Sequence, residues 1–326
     1  MRPLVFLAYK VMAMAMSVMT ALGIVSVPNQ DAPVEVDDNA DLTFVAWGDP
    51  QVSNYMFRRE ASLSAACADV ANTKGTFDAL ILAGDIAENG LESEYKTVAD
   101  MLNPLSGKVN NFIFAAGNHD TRLKAYSLQT KRFASFAKSV KNAVVPSGKS
   151  YNYSCEINGY KFIVMGADNS AFEASYISDA QLNWLDSEIA SSQGKAVFVI
   201  NHQPLKDTHG LPGTWNSPEF MDRGSVGKQS DRIKAILNKY SNVVYICGHL
   251  HSGTGEYSYE KIGNFHSFCL QTIGAGNDDG VDADTQGYVF EVYGNKIVAR
   301  ARIFGEGKWV DESVPNAVVT ILINEE

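Results

Sequence analysis

Five short runs of apolar, β-branched or aromatic residues punctuate the chain: Leu42 to Ala46, Ala79 to Ala83, Phe112 to Ala115, Ala196 to Ile200 and Val243 to Cys247. Each is of strand length, too short for a helix, and lacks the polar alternation of a strand with one wet face, which predicts buried parallel strands. Between them lie stretches with helical spacing of apolar positions, predicting helices over Phe57–Val70, Leu91–Leu102, Leu123–Ser139, Ser178–Ala190 and Ser230–Tyr240. Ser178 and Gln181 form a capping-box pattern at the start of the fourth, with Leu182, Leu185 and Ile189 as its core-facing stripe. Two further runs, Tyr151–Met165 and Gly287–Ile303, are broken by Asn158-Gly159 and Gly294-Asn295 and read as hairpins. Strand–helix alternation plus hairpins predicts an α/β fold: a four-layer α/β/β/α sandwich of two mixed sheets flanked by helices, in which the hairpins and residues 256–326 supply the second sheet.

The bulk properties narrow this picture. With 326 residues, 45% of them hydrophobic, and no fixed-period repeat, the chain fits one large domain over residues 42–326, its motifs confined to 42–255. A net charge of −10 without a Lys/Arg cluster argues against binding a nucleic-acid polymer. Residues 1–27 differ: Arg2 and Lys10 accompany an apolar, acid-free stretch from Val11 to Val27, the pattern of an export signal or, if retained, a membrane anchor. Either places the domain outside the cytoplasm, in a periplasmic, cell-surface or extracellular setting, or tethers it to a membrane. Residues 28–41, rich in Pro, Asp and Asn, are expected to form a flexible acidic linker. Cys67, Cys155, Cys247 and Cys269 fit no paired metal spacing and read as core thiols, with no disulfide assigned.

The chemistry lies at the ends of the apolar runs. Asp49 and Gln51, Asp85, Asn118, His202, and His249 with His251 stand just beyond the five of them, where the crevice at strand carboxyl ends collects residues distant in sequence. An Asp after a strand is ordinarily a turn residue or a cap. Gly117-Asn118-His119-Asp120 is sharper, offering a tight turn, a carboxamide, an imidazole and a carboxylate in succession. In Gly248-His249-Leu250-His251 two imidazoles share one side of an extended segment, a costly placement without a metal.

Taken together, Asp49-x-Gln51, Gly84-Asp85, Gly117-Asn118-His119-Asp120, Asn201-His202 and Gly248-His249-x-His251 resemble the signature of the calcineurin-like metallophosphoesterases. Gln181 to Leu185 is similar to a helix often found there. The resemblance implies two divalent ions, Mn, Fe, Mg or Zn. Asp49, Gln51, Asp85 and His251 would hold one, Asp85, Asn118, His202 and His249 the other, with Asp85 bridging. It also implies hydrolysis of a phosphomonoester or phosphodiester by a hydroxide shared between ions about 3.5–4 Å apart. His119 is left to stabilise charge or protonate the leaving oxygen, with Asp120 orienting it or serving as a helix cap. Many family members have His where this chain has Gln51; a carboxamide is a harder ligand than imidazole, so the first site should favour Mn, Mg or Fe over Zn. In the loop from Gln203 to Gln229, His209, Trp215, Arg223 and Lys228 are candidate substrate contacts, loop packing being the plainer reading. Arg122 is a weaker anion-binding candidate, and His266 and Asn277-Asp278-Asp279 have no expected role. A noncatalytic metal-binding scaffold of the same fold and a nucleotide pyrophosphatase or cyclic-nucleotide phosphodiesterase are the alternative functions.

Overall fold

A computed structural model of the chain describes residues 33–123, 125–169, 175–210, 224–276 and 285–323. The buried runs become strands almost where periodicity put them. β1 (Leu42–Trp47), β2 (Ala79–Ala83) and β3 (Phe112–Ala115) pair in parallel, with α1 (Phe57–Ala71) and α2 (Glu92–Leu102) as the crossovers. After β3 the chain makes a single helical turn, α3 (Asn118–Thr121), then α4 (Tyr126–Ser139), so the helix expected from Leu123 begins three residues later. The hairpin β4 (Tyr153–Ile157) and β5 (Tyr160–Val164) turns at Asn158 and Gly159, both with positive φ, as the hairpin signal requires. α5 (Asp179–Ala190), β6 (Val197–Ile200), α6 (Ser230–Leu237), β7 (Val243–Cys247), β8 (Tyr259–Ile262) and β9 (Phe265–Cys269) follow, and β10 (Gln286–Tyr293), β11 (Lys296–Ile303), β12 (Lys308–Trp309) and β13 (Val318–Leu322) end the fold.

The two sheets divide these strands differently from the sequence expectation. One runs β12-β11-β10-β1-β2-β3, with β13 also on β11; the other runs β4-β5-β6-β7-β9-β8. The runs that lead to the candidate ligands are therefore split, β1 to β3 in the first sheet and β6 and β7 in the second, and residues 286–322 extend the first sheet instead of completing the second. Apolar periodicity reports that a strand is buried but not which neighbour it pairs with, and pairing is what separates the two arrangements.

Why the runs are apolar on both faces is now plain. Phe44, Ala46, Ile81, Ile113, Phe162, Phe198, Ile246, Phe268 and Phe290 fill the layer between the sheets. There Phe44 stacks on Phe290 at 4.6 Å and meets Phe198 edge-on at 4.8 Å. The alternate residues Val45, Trp47, Leu80, Leu82 and Phe114 pack under α1, α2 and α4, and Val197, Val199, Val243 and Tyr245 under α5 and α6. Tyr153 ties the sheets at one edge, its hydroxyl bonding both the N–H and the carbonyl of Phe114 at 2.9 Å.

Two local expectations change. Ser178 caps α5 through the N–H of Gln181 at 3.3 Å, but the Gln181 carboxamide turns away to Gly166 and Asp168, and Asp168 takes the Ser178 N–H at 2.8 Å instead. The expected linker 28–41 is described from residue 33. There it is anchored: Val34 is buried, Val36 N–H donates to the Lys74 carbonyl and Lys74 N–H to the Val34 carbonyl, and the Asp41 carboxylate accepts from Tyr160 and Gly294. All four cysteines are free thiols. Among the described residues no helix is long and apolar enough to cross a membrane; the segment 1–27 lies outside them.

Candidate metal centre

All seven donors meet at one end of the sandwich, at the seam between the sheets. His202 Nε2 is 3.1 Å from Asp85 Oδ2, 3.1 Å from Asn118 Oδ1, 3.2 Å from His249 Nδ1 and 3.9 Å from Asp49 Oδ1. His251 Nε2 lies 3.3 Å from Asp49 Oδ1, and Gln51 Nε2 donates to Asp85 Oδ2 at 3.3 Å. Donor atoms of Asp85, His202 and His249 fall within 4.8 Å of one another, a spacing a single cation can span.

The backbone is bent to achieve this. Asp49, Gln51, Asp85, His249 and His251 all have φ between 40° and 75°, a region that non-glycine residues occupy only when their surroundings hold them there. Glycines make room for the donors across motifs. A Cβ on Gly84 would lie 2.5 Å from the His202 ring, on Gly117 2.0 Å from Asp85 Oδ1, and on Gly248 2.5 Å from Asp49 Oδ2. Each glycine precedes one candidate ligand and accommodates another from a distant strand.

Whether these residues suit divalent ions depends on their charges and tautomers. The His202 Nδ1–H points to the Ala83 carbonyl at 2.9 Å, leaving Nε2 facing the other donors, the orientation a metal-binding imidazole needs. Burial opposes charge on His202, yet Asp85 and Asp49 outweigh it and push its pKa up to about 10. Burial likewise opposes the Asp85 carboxylate, but the histidines hold it well below the usual range. His249, buried and beside a charged His202, is pushed down to about 3. Asp49 Oδ1 is buried without a hydrogen-bond donor. The pocket draws a proton onto His202 because it is short of positive charge, and its donor set of carboxylate, carboxamide and imidazole fits divalent cations.

Beside this cluster His119 is placed as expected but oriented otherwise. Its Nε2 is 3.9 Å from Asp85 Oδ2, and its Nδ1 meets the Glu88 carbonyl at 3.0 Å and the Glu88 carboxylate at 3.4 Å. Asp120 does not orient it. The Asp120 carboxylate accepts from the N–H groups of Gly117, Ile86 and Ala87 and from the Tyr95 hydroxyl, which locks the two ligand turns together. Burial and the Asp85 charge push its pKa up to about 6 against those bonds. Glu88 is the residue sequence reasoning missed; an acid three positions beyond Asp85 was the available signal. Burial would raise its pKa, but His119 and Arg59 hold it at about 2. Arg122 bonds the Glu88 carboxylate at 2.9 Å and sits 3.3 Å from His119 Nε2.

Among the described residues, His209 and His266 make their contacts elsewhere. His209 is buried between Ser267 Oγ at 2.7 Å and the Tyr257 carbonyl at 2.8 Å, so it fastens its loop to β9 and to the turn before β8. Lys228 lies on a short 3₁₀ turn, and His266 stacks on Tyr259. Trp215, Arg223 and Asn277-Asp278-Asp279 fall outside the described residues.

Comparison with known proteins agrees with this geometry. The sequence model of the calcineurin-like phosphoesterase family matches residues 42–253. A probable cyclic nucleotide phosphodiesterase of Fibrobacter succinogenes is 29% identical over 180 residues, 54% of this chain and 58% of that protein. A cAMP/cGMP dual specificity phosphodiesterase of Mycobacterium tuberculosis is 23% identical over 243 residues, 72% of this chain and 68% of that one. A probable glycerophosphodiester phosphodiesterase of Arcobacter nitrofigilis is 28% identical over 184 residues, 55% and 59%. The chain therefore spans under two thirds of the length of the first and third of these. In fold it is similar to a purple acid phosphatase from yellow lupin, with a TM-score of 0.60 at 13% identity over 86% of this chain and 53% of that one. It is also similar to PhoD, with a TM-score of 0.54 at 14% identity over 79% and 65%. Because the family model covers residues 42–253, more than half of the chain, the chain belongs to the calcineurin-like phosphoesterase family.

Proposed function

We propose that this protein is a metal-dependent phosphoesterase that hydrolyses phosphodiesters in preference to phosphomonoesters. The observation that carries the reading is the convergence of seven donors from five strand ends around a buried, cation-deficient point. Asp49, Gln51, Asp85 and His251 would hold one ion, and Asp85, Asn118, His202 and His249 the other. When bound, the two ions supply a water-derived nucleophile at neutral pH and offset charge on the phosphoryl oxygens. Asp85, between His202 and Gln51, fits the shared position; His119, braced by Glu88, is assigned to the leaving oxygen. The relatives' names favour diesters, two being cyclic nucleotide phosphodiesterases and one a glycerophosphodiester phosphodiesterase. The basic and apolar N-terminus supports export or membrane attachment as the setting.

The test is turnover of p-nitrophenyl phosphate, bis-p-nitrophenyl phosphate and a cyclic nucleotide with added Mn²⁺. Faster diester than monoester hydrolysis is expected, with His119→Ala lowering kcat by about 10²–10⁴-fold on the cyclic nucleotide. Bound metal without turnover of any ester would establish the scaffold reading in its place. The Gln51 carboxamide gives the first site its metal preference: in titrations of metal-stripped protein, Mn²⁺ should rival Zn²⁺ there, and Gln51→His should swing the balance to Zn²⁺. Tighter Zn²⁺ binding at both sites of the unaltered chain contradicts this.

A further inference from the structure

Arg59 connects two parts of the centre that lie apart in sequence. It stands in the first turn of α1 with a side chain only 19% exposed. One of its nitrogens, NH1, donates to the carbonyl oxygen of Gln51 at 3.1 Å and also to the Glu88 carboxylate. One guanidinium thus grips the turn that carries Asp49 and Gln51 and the acid that braces His119.

The backbone makes that grip consequential. Gln51 N–H donates to Asp85 O at 2.7 Å, Val52 N–H to Ile86 O at 3.1 Å and Glu88 N–H to Val52 O at 3.0 Å, so the two turns move as one body. Gln51 holds a φ of 40°, which relaxes unless its surroundings oppose it. A charge-assisted bond to its carbonyl is such an opposing force. On the other side Glu88 is shared between Arg59 and Arg122, two cations about one carboxylate, and keeps its charge and its direction toward His119. Both bonds come from one nitrogen, NH1, which stands one bond farther from the backbone than a lysine ammonium, so a lysine in its place would meet one acceptor well and the other poorly.

We propose that Arg59 is a positioning residue that sets the Gln51 metal-ligand turn and the His119 ring together, the second half of which rests on the phosphoesterase reading. The two halves have separate readouts. Nitrophenolate departs without a proton, whereas the ribose alkoxide of a cyclic nucleotide needs one, so a misplaced His119 slows only the latter. A displaced Gln51 turn weakens metal binding whether or not any ester turns over.

The experiment compares the full chain with Arg59→Met and Arg59→Lys. Mn²⁺ binding to stripped protein is followed by calorimetry, and kcat and KM are measured on bis-p-nitrophenyl phosphate and a cyclic nucleotide. For Arg59→Met we expect the weaker Mn²⁺ site to loosen about tenfold or more. Its kcat on the cyclic nucleotide should fall at least about tenfold further than on the nitrophenyl diester, with KM little changed. Arg59→Lys should recover part of one effect and not both. Unaltered Mn²⁺ affinity together with an equal loss on both substrates overturns the proposal. Should Arg59→Met not fold, Arg59→Lys decides: unchanged affinity and an unchanged ratio of the two substrates overturn it. If the unaltered chain turns over no ester, the phosphoesterase reading fails, and Mn²⁺ affinity alone decides the role of Arg59 at the ligand turn.

Discussion

Asp85→Ala should abolish hydrolysis, lowering kcat/KM by at least about 10³-fold, and should reduce the metal content from two ions to at most one. Asp85 stands where the other donors turn: Oδ2 faces His202 at 3.1 Å and Gln51 at 3.3 Å, and Oδ1 accepts the His119 N–H at 2.9 Å. Removing it takes away the carboxylate proposed to be shared by both ions, the charge that keeps the neighbouring imidazoles in place, and the acceptor that starts α3. Asp85→Asn separates these contributions, because it keeps the shape while losing the charge, and it should be nearly as inactive. The metal-free protein gives an independent check. The pKa of His202 is raised to about 10 by Asp85 and Asp49 against burial, so the pair stabilises the fold fully below the unfolded value of about 6.5. That stability is lost as pH rises through the folded value. Denaturation of chelator-treated protein should show this decline on the alkaline side, and Asp85→Ala should flatten it. An alanine variant that retains two tightly bound ions and substantial turnover would sink the shared-carboxylate assignment.

Gly117→Ala should be almost as damaging, although it adds one methyl group and removes no ligand. The new Cβ would fall 2.0 Å from Asp85 Oδ1 and 2.4 Å from Asp85 N, with the Asp85 carboxyl carbon at 2.8 Å. Gly117 has a φ of −101°, which alanine adopts freely, so the effect isolates crowding from backbone strain. Either Asp85 or the turn leading to Asn118 must shift. Both bear proposed ligands, and a displacement of about 1 Å in such a site reduces turnover on the order of 10²-fold. We expect metal affinity to fall by about 10- to 100-fold and unfolding to become easier by about 1–3 kcal/mol. Calorimetric metal titration beside thermal denaturation measures both. Wild-type metal affinity in this variant would mean that the two turns are packed less closely than these distances require.

The part of the centre legible in the sequence was the set of candidate donors. Each comes after a run whose apolar pattern marks it as a buried strand, and a strand must hand its chain to the surface at its carboxyl end, so local periodicity alone places Asp49, Gln51, Asp85, Asn118, His202, His249 and His251 at strand ends. His119 came with its block. Its partner did not, because Asp120 is its chain neighbour but Glu88 its neighbour in space. Arg59 left no signal at all, since an arginine in the first turn of an amphipathic helix ordinarily faces solvent.

Periodicity, turn residues and motif order thus determined the element types and the candidate donors, properties of short stretches of chain, while the chemistry came from the resemblance those motifs carry. Tertiary structure alone decided that the ligand strands divide between two sheets, so that the centre straddles their seam. It also decided that Gly84, Gly117 and Gly248 serve close approach between distant motifs, and that Arg59 and Glu88 belong to the site. The physical reason is common to these: strand pairing, side-chain crowding and ion pairing depend on groups brought together from far along the chain, about which a local pattern of apolar and polar residues carries no information.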